Sequence, residues 1–273
     1  MKPVLLLLAF FGLSQAQIKT QNEPTNTAEA AAKKAAADQA LDDQYQAWKS
    51  KLPVDQQAWE TVLEQNLGNG FYLPLHKKDK IAGRSNAWDF VQDDPKLPRV
   101  LLIGDSISRG YTLDVRKAMA GKANVHRAPE NCGPTANGVK KIEIWLGAGK
   151  WDVIHFNFGI HDRKTPPADY EQRLEALITR MKQTGAKLIF ATTTPVPPDT
   201  KDGPEIVTQI AEKNEIARRV MQKHGVAIND LHAFLAPQLE GIANPKDVHF
   251  NGKGYELMGQ QVAKSITAQI SSP

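Results

Sequence analysis

The feature that most constrains this chain is a set of five short apolar runs, separated by segments with helical periodicity. The runs span residues 99–104, 123–127, 152–158, 187–193 and 226–230. Strands that are apolar on both faces and alternate with helices form a parallel sheet, because helices must then cover both of its faces. The sequence therefore predicts an α/β fold, a three-layer α/β/α sandwich around a five-stranded parallel sheet.

Helical patterns fill the gaps between these runs, at residues 112–120, 137–148 and 169–184 in the first three connections. A fourth helix is expected to open at Gly203-Pro204 and to stop at Gly225. A last helix carries apolar residues from Leu257 to Ile270. In sheets of this kind ligands bind beyond the carboxyl ends of the strands, so we expect functional residues just after the strands.

The part of the chain before the sheet begins with Lys2, a short apolar run and the small-x-small sequence Ser14-Gln15-Ala16. This pattern is typical of a secretory signal peptide cleaved near Ala16, and it predicts a secreted or periplasmic protein. Residues 71–90 carry aromatic residues among turn residues, which predicts an ordered but irregular segment. The expected regions are 1–16, the signal peptide; 17–52, an Ala/Lys-rich helical or disordered spacer; 53–97, a helix and collar packed on the core; and 98–273, the main domain.

Composition and charge exclude several classes of function. The net charge is only +4, and no stripe of clustered Lys and Arg with interleaved aromatics is present, so we expect no nucleic-acid partner. No segment is apolar over the roughly 20 residues that a membrane span requires. Cys132 is the only cysteine, which rules out an internal disulfide. This Cys and the scattered His residues match no zinc pattern, so neither a metal nor another cofactor is predicted. Oligomeric state is left open.

The strongest chemical signal is Gly104-Asp105-Ser106 at the end of the first apolar run. This position places the Ser106 hydroxyl at the carboxyl end of a strand, against the N-terminus of the next helix. A serine hydroxyl is a weak nucleophile until a base takes its proton. The best candidate base is His249, in the loop before the last helix, with Asp247 two residues earlier to orient it. Each motif alone is equally typical of a turn or a solvated loop, and their joint placement favours catalysis.

These motifs resemble those of the SGNH, or GDSL, hydrolases, a family of secreted esterases, lipases, thioesterases and carbohydrate deacetylases. The resemblance covers about residues 98–270 and rests on four blocks in the right order. The blocks are Gly104-Asp105-Ser106, Gly133 within residues 131–135, Gly159-Ile160-His161-Asp162, and Asp247-Val248-His249. The resemblance implies a flavodoxin-like sandwich, here with an N-terminal helical extension, and a serine hydrolase that acts on carboxylic ester bonds.

The resemblance also implies an oxyanion hole made of the Ser106 N–H, the Gly133 N–H and a side chain of the third block. The family has Asn at that position, whereas this chain has His161. We expect His161 to donate a ring N–H, with Asp162 or a nearby carbonyl fixing its tautomer. The alternative third donor is Asn157.

A second departure from the family concerns spacing, since the family usually has Asp three residues before His. Here that residue is Lys246, which cannot accept a hydrogen bond from imidazole. Asp247 completes a triad if the loop bends differently; otherwise a backbone carbonyl orients His249 and the site works as a dyad. Asp105, next to the nucleophile, is expected to support the site together with Asp162.

The predicted function is that of a secreted serine esterase with no cofactor. Its expected partner is a small acyl ester or an acetylated polysaccharide, with an acetyl group on a carbohydrate favoured. The alternatives are a lipase or thioesterase of the same family, and a catalytically impaired domain that binds a glycan. Arg109 and Tyr111, just after the nucleophile, could face the substrate.

Overall fold

The structure is a computed structural model that describes residues 23–271, and it divides the chain into two units, Met1–Asp43 and Gln44–Pro273. The predicted signal peptide at residues 1–16 lies outside the described residues, as do residues 17–22 of the predicted spacer. What is described of the first unit is helical, because helix α1 spans Glu23–Lys49. Its Ala- and Lys-rich sequence favours a helix, and the side chains of residues 27–40 are all exposed.

The collar, residues 53–97, contains more helix than its sequence predicts. Helix α2 (Val54–Asn66) is followed by a π-helical turn (Gly68–Tyr72) and by helix α3 (Leu73–Ile81). The prediction of an irregular segment from residue 71 onwards is therefore wrong up to Ile81. Pro74 lies in the first turn of α3, where its fixed φ angle favours a helix start.

The five strands form one sheet in the order β2-β1-β3-β4-β5, and all neighbouring pairs are parallel. The strands are β1 (Arg99–Ile103), β2 (Asn124–Arg127), β3 (Val153–Phe156), β4 (Lys187–Ala191) and β5 (Ala227–Asn229). Each lies inside one predicted run, and none extends beyond it. The predicted fold class is confirmed, and the strand order is that of flavodoxin-like folds.

Seven helices of the described chain follow β1 in sequence. They are α4 (Ser106–Ala118), α5 (Thr135–Leu146), α6 (Pro167–Lys182), α7 (Glu205–His224), α8 (Leu231–Leu235), α9 (Leu239–Ile242) and α10 (Gly252–Ile270). Helix α4 begins at Ser106 and not at residue 112 as predicted. The Asp105 carboxylate caps it by accepting a hydrogen bond from the Ile107 N–H at 2.9 Å, which starts the helix directly after the strand.

The core consists of one apolar layer on each face of the sheet, because successive strand residues point to opposite faces. Leu101 and Ile103 of β1 belong to a cluster with α5, α6 and α7. Val100 and Leu102 belong to a second cluster with α4 and α10. The helices cover the two faces of the sheet and not the carboxyl ends of its strands. The turns after β1, β2 and β3 meet at those ends.

Between Glu23 and Ser271, no helix combines the length and the apolar character that crossing a membrane requires.

Candidate active site

The predicted nucleophile lies in a tight turn between β1 and α4. Ser106 is the first residue of α4 and is partly exposed. A Cβ atom on Gly104 would lie 2.7 Å from the Ser108 hydroxyl, so the turn leaves no room for a side chain there. The unpaired N–H groups of the first helical turn attract negative charge, as the chemistry of an attacked ester requires.

A buried arginine supports this turn from below. Arg127, the last residue of β2, is 2% exposed. Its guanidinium donates to the main-chain carbonyls of Gly104 and Asp105, at 3.1 and 2.9 Å, and to the Ser108 hydroxyl at 2.5 Å. These three bonds satisfy acceptors on both sides of Ser106, and they fix the backbone that carries the nucleophile.

The predicted base meets the predicted nucleophile. His249 Nε2 lies 2.8 Å from Ser106 Oγ, across 143 residues of sequence. A short antiparallel bridge between Ala243 and Phe250 holds the loop that carries His249. The Asn244 N–H donates to the His249 carbonyl at 2.9 Å, which fixes the imidazole's backbone in front of α10.

Asp247 reaches the other side of the imidazole despite its short spacing. Its Oδ1 atom lies 2.9 Å from His249 Nδ1 and also accepts the Val248 N–H at 2.7 Å. The carboxylate thus folds back over its own loop, in the manner of an Asx turn. Lys246 just before it has φ +55°, a left-handed conformation that is rare outside glycine. This bend accompanies the contact of Asp247 with the imidazole, although Asp247 lies only two residues before His249 and the family's usual spacing is three.

The environment keeps Asp247 ionised. Partial burial raises the pKa of its carboxyl, but the hydrogen bond and the charge of His249, with bonds from the Val248 and His249 N–H groups, outweigh burial and leave that pKa below its ordinary value. An ionised Asp247 stabilises the imidazolium that forms when His249 takes a proton.

The second predicted block forms a loop beside the nucleophile turn. Gly133 has φ +66°, a left-handed conformation that favours glycine. The neighbouring Cys132 N–H donates to the Gly104 carbonyl at 3.1 Å, so this loop is tied to the turn that carries Ser106. Gly133 and Ser106 therefore both lie at the carboxyl end of the sheet.

The third predicted block also lies here, but its contacts differ from the prediction. Asp162 is fully buried and accepts bonds from the Thr135 N–H at 2.8 Å and the Thr135 hydroxyl at 2.7 Å. It therefore secures the start of α5, after the second block, and the prediction that it orients His161 is wrong. The carboxylate that faces His161 is Asp105, whose Oδ2 lies 3.7 Å from His161 Nε2. The His161 side chain is 39% exposed and free to turn towards a ligand.

Asn157, the alternative third donor, directs its amide towards β4. Its Nδ2 donates to the Ala191 carbonyl at 2.8 Å and to the Thr193 hydroxyl at 3.3 Å. An amide nitrogen has two hydrogens, and both are used in these bonds. The structure therefore does not support Asn157 as the third donor.

Two aromatic or basic neighbours of the site were not predicted from sequence, namely Arg127 and Tyr72. Tyr72 belongs to the collar, yet its phenol interacts with Ser106. Burial raises the pKa of Tyr72, while the charges of Arg109 and Arg127 and the hydrogen-bonding interaction with Ser106 oppose this rise. Of the two residues singled out after the nucleophile, Arg109 faces Tyr72, with its Cζ 5.8 Å from the ring centre, whereas Tyr111 is 2% exposed and lies in the core.

Within residues 23–271, no group of His, Cys, Asp or Glu is arranged to hold a metal ion.

Comparison with known proteins identifies the family of this chain. The model of the GDSL-like lipase/acylhydrolase family matches residues 102–257, more than half of the chain. No curated protein sequence is significantly similar.

Solved structures share the fold at low sequence identity. A lipase/acylhydrolase from Enterococcus faecalis is 22% identical, with a TM-score of 0.57, covering 63% of this chain and 97% of its own. The acetyl xylan esterase AlAXEase is 18% identical, with a TM-score of 0.55, covering 62% and 99%. Axe2, an acetylxylan esterase from Geobacillus stearothermophilus, is 16% identical, with a TM-score of 0.52, covering 64% and 95%.

The sheet order, the positions of the four blocks and the family match agree with one another. The chain belongs to the GDSL-like lipase/acylhydrolase family, the SGNH hydrolases, and is a hydrolase of ester bonds.

Proposed function

We propose that this protein is a secreted serine esterase that removes small acyl groups, in particular acetyl groups, from a carbohydrate. The observation that carries the proposal is the chain of contacts from Ser106 Oγ to His249 Nε2, at 2.8 Å, and from His249 Nδ1 to Asp247, at 2.9 Å. A hydroxyl, an imidazole and an ionised carboxylate in this order are the parts that acyl transfer needs.

In the proposed mechanism, Ser106 Oγ attacks the ester carbonyl while His249 Nε2 takes the hydroxyl proton. Asp247 holds the imidazole by its other nitrogen and stabilises the charge that it acquires. His249 then protonates the departing alcohol, which leaves an acyl group on Ser106. Water enters next, gives a proton to His249 and attacks the acyl group, so that the acid is released and the Ser106 hydroxyl is restored.

The oxyanion that forms in each step needs donors that are already in place. We propose the main-chain N–H groups of Ser106 and Gly133 and a ring N–H of His161. Each such donor is worth roughly 3–4 kcal/mol in the transition state. Asp105 supports this arrangement twice, since it caps α4 at Ile107 and faces His161.

Three considerations favour a large, polar alcohol with a short acyl group. The side chains of His249 and Asp247 are 34% and 46% exposed, so the site opens directly to solvent and can accept a polymer. Two structural neighbours of similar fold are acetylxylan esterases. The proposed signal peptide adds export, which brings such an enzyme to extracellular glycans.

The decisive experiment compares the wild type with Ser106→Ala on a 4-nitrophenyl acetate assay. We expect kcat/KM to fall by about four orders of magnitude or more, because the nucleophile is lost. Ser50→Ala, an exposed serine at the end of α1, is the matched control and should keep full activity.

Labelling of the wild type by a serine-directed phosphonate should occur at Ser106. A folded protein that is neither labelled nor active would instead indicate a glycan-binding domain.

The acyl group is tested by a series of nitrophenyl esters of increasing chain length. We expect kcat/KM to be highest for acetate and to decline with longer chains. A maximum at eight or more carbons would contradict the carbohydrate proposal and favour a lipase or thioesterase.

A further inference from the structure

Arg109 stands out among the charged residues near the nucleophile, because the other charges there are already engaged. Arg127 donates to two carbonyls and a hydroxyl, Asp105 accepts the Ile107 N–H, and Asp247 binds His249. Within residues 23–271, the Arg109 guanidinium forms no ion pair and no hydrogen bond, whereas Arg127 lacks a partner only at its Nε. The outer nitrogens of Arg109 are not buried and have no acceptor, so a carboxylate that reaches them would gain charge-assisted hydrogen bonds.

The position of Arg109 places it beside the reacting hydroxyl. Ser106 and Arg109 are three residues apart in the first turn of α4, so their side chains leave the same face of the helix. Gly110, the next residue, is covered by the Tyr255 ring of α10, and the Arg109 guanidinium lies over the Tyr72 ring of the collar. The guanidinium therefore lies at the rim of the ester site.

Residues of the collar lie next to Arg109 at the edge of the ester site. The π-helical turn Gly68–Tyr72 carries Tyr72, whose ring lies below the Arg109 guanidinium and whose phenol interacts with Ser106. Phe71 packs edge-on against Tyr72, with ring centres 5.0 Å apart, and is 63% exposed. A single π-helical turn of this kind is often found at a functional site. It lies before residue 102, where the family match begins.

From these contacts we infer that Arg109, Tyr72 and Phe71 form a subsite for a carboxylate carried by the alcohol part of the ester. The planar fork of a guanidinium matches a carboxylate with two parallel hydrogen bonds, and the Tyr72 face holds the fork in place. Phe71 offers an exposed aromatic surface to the ring that bears the carboxylate. The substrate class is thus an acylated acidic sugar or another acylated ring with a carboxylate. This assignment rests on the proposed esterase function.

Turnover is tested with a matched pair of esters, 4-acetoxybenzoate and the neutral 4-acetoxybenzamide. The measured quantity is the ratio of kcat/KM for the charged ester to that for the neutral ester. We expect Arg109→Gln to lower this ratio about tenfold, and Arg109→Lys to lower it less, since Lys keeps the charge and loses the fork. Added salt should also lower the wild-type ratio. Arg219→Gln, on the exposed face of α7, is the control and should leave the ratio unchanged.

Binding is tested without turnover, by calorimetry of the Ser106→Ala variant with oligogalacturonate and with neutral oligogalactose. We expect tighter binding of the acidic oligomer, and loss of the difference in the Ser106→Ala, Arg109→Gln double variant. An unchanged ratio and equal binding of both oligomers would overturn the carboxylate subsite while leaving the esterase intact. Selective binding of the acid by a wild type that hydrolyses no ester would overturn the esterase proposal instead. If Arg109→Gln fails to fold, the carboxylate subsite is tested by Arg109→Lys and by added salt. A charged-to-neutral ratio that neither of them lowers would overturn it.

Discussion

His161 is the residue at which this chain departs most clearly from its family. The family's usual Asn is a neutral donor with a fixed N–H, whereas an imidazole donates only from the nitrogen that carries a proton. In the structure Asp105 Oδ2 lies 3.7 Å from His161 Nε2, too far for a hydrogen bond, so the ring N–H of His161 stays available to an oxyanion. The third block thus lies close to the residue next to the nucleophile.

The His161→Asn variant tests this role. If His161 is an oxyanion donor, Asn should keep kcat for acetate esters within about tenfold of the wild type, because it restores the family's donor. His161→Ala should lower kcat by 100-fold or more with little change in KM, as expected for a contact made only in the transition state, with about 10²–10³ for one donor. Equal activity of the Ala and wild-type proteins would show that His161 takes no part.

Sequence motifs point to Ser106, His249 and Asp247 as candidates, because these motifs are local and stand at the ends of predicted elements. It could not find Arg127 or Tyr72, since an arginine at the end of a short strand and a tyrosine in a turn-rich collar carry no motif. Their positions follow from packing between distant segments, as in the stacking of the Trp88 ring on the Arg127 guanidinium, 5.7 Å from Cζ to ring centre.

At the scale of elements, the loops after the strands determine the geometry of the site. The loop with Gly133 depends on a left-handed residue, and that with Asp247 depends on another, Lys246. The resemblance to the family predicts Gly133 in the second block but not its conformation, and it leaves Asp247 open between a triad and a dyad. A lysine gives no sign that it adopts φ +55°, so the bend that places Asp247 had to come from the structure.

Gly133→Ala tests the loop of the second block. The nearest atom to a Cβ there is the Asn131 carbonyl oxygen at 3.9 Å, so the change adds backbone strain without a clash. We expect a loss of about 1–2 kcal/mol in the free energy of unfolding and a fall in kcat, because the strained loop moves its N–H. The measurements are urea unfolding and acetate-ester kinetics.

Gly121→Ala is the matched control for that variant. Gly121 has φ +69° and no atom within 4 Å of its Cβ position, and it lies in the turn after α4, away from the site. It should lose similar stability and keep full activity. If both variants lose activity equally, the effect belongs to general destabilisation and Gly133 has no special role.

At the scale of the whole molecule, a buried histidine links the stability of the fold to pH. His155 of β3 is fully buried and lies edge-on to Tyr111, with ring centres 6.4 Å apart. Only its Nε2 has a partner, the Asn229 amide at 3.2 Å, while Nδ1 has none among the described residues. Burial lowers the pKa of His155 from 6.5 to about 3, because the charged form would be out of contact with water.

This depressed pKa predicts a stability that falls with acid. Above pH 6.5 the histidine is neutral in both the folded and unfolded states and contributes no pH dependence. Between pH 6.5 and about 3 the unfolded chain takes up a proton that the folded chain refuses, so the free energy of unfolding falls by up to about 1.4 kcal/mol per pH unit. Urea unfolding of His155→Gln should show a smaller slope between pH 6 and 5. Identical slopes would mean that His155 is protonated in the native state.

The overall architecture was the most predictable part, since five apolar runs and their helical spacers are repeated patterns that packing cannot easily override. The collar was the least predictable. Its aromatic and glycine residues indicated an irregular segment, yet α3 forms at Leu73–Ile81 and the π-helical turn before it reaches the nucleophile. Short helices of this kind depend on tertiary contacts more than on their own sequence.

The close packing of α4 on α10 also has a consequence for biosynthesis. A Cβ atom on Gly259 of α10 would lie 2.4 Å from that of Asp114 in α4, so these two helices fit together only with glycine at that point. The ribosome makes the nucleophile well before it makes the base and the helix that clamps it. In the proposed mechanism, a nascent chain that ends before residue 249 carries Ser106 without its proton acceptor, so we expect esterase activity only after His249 has been added.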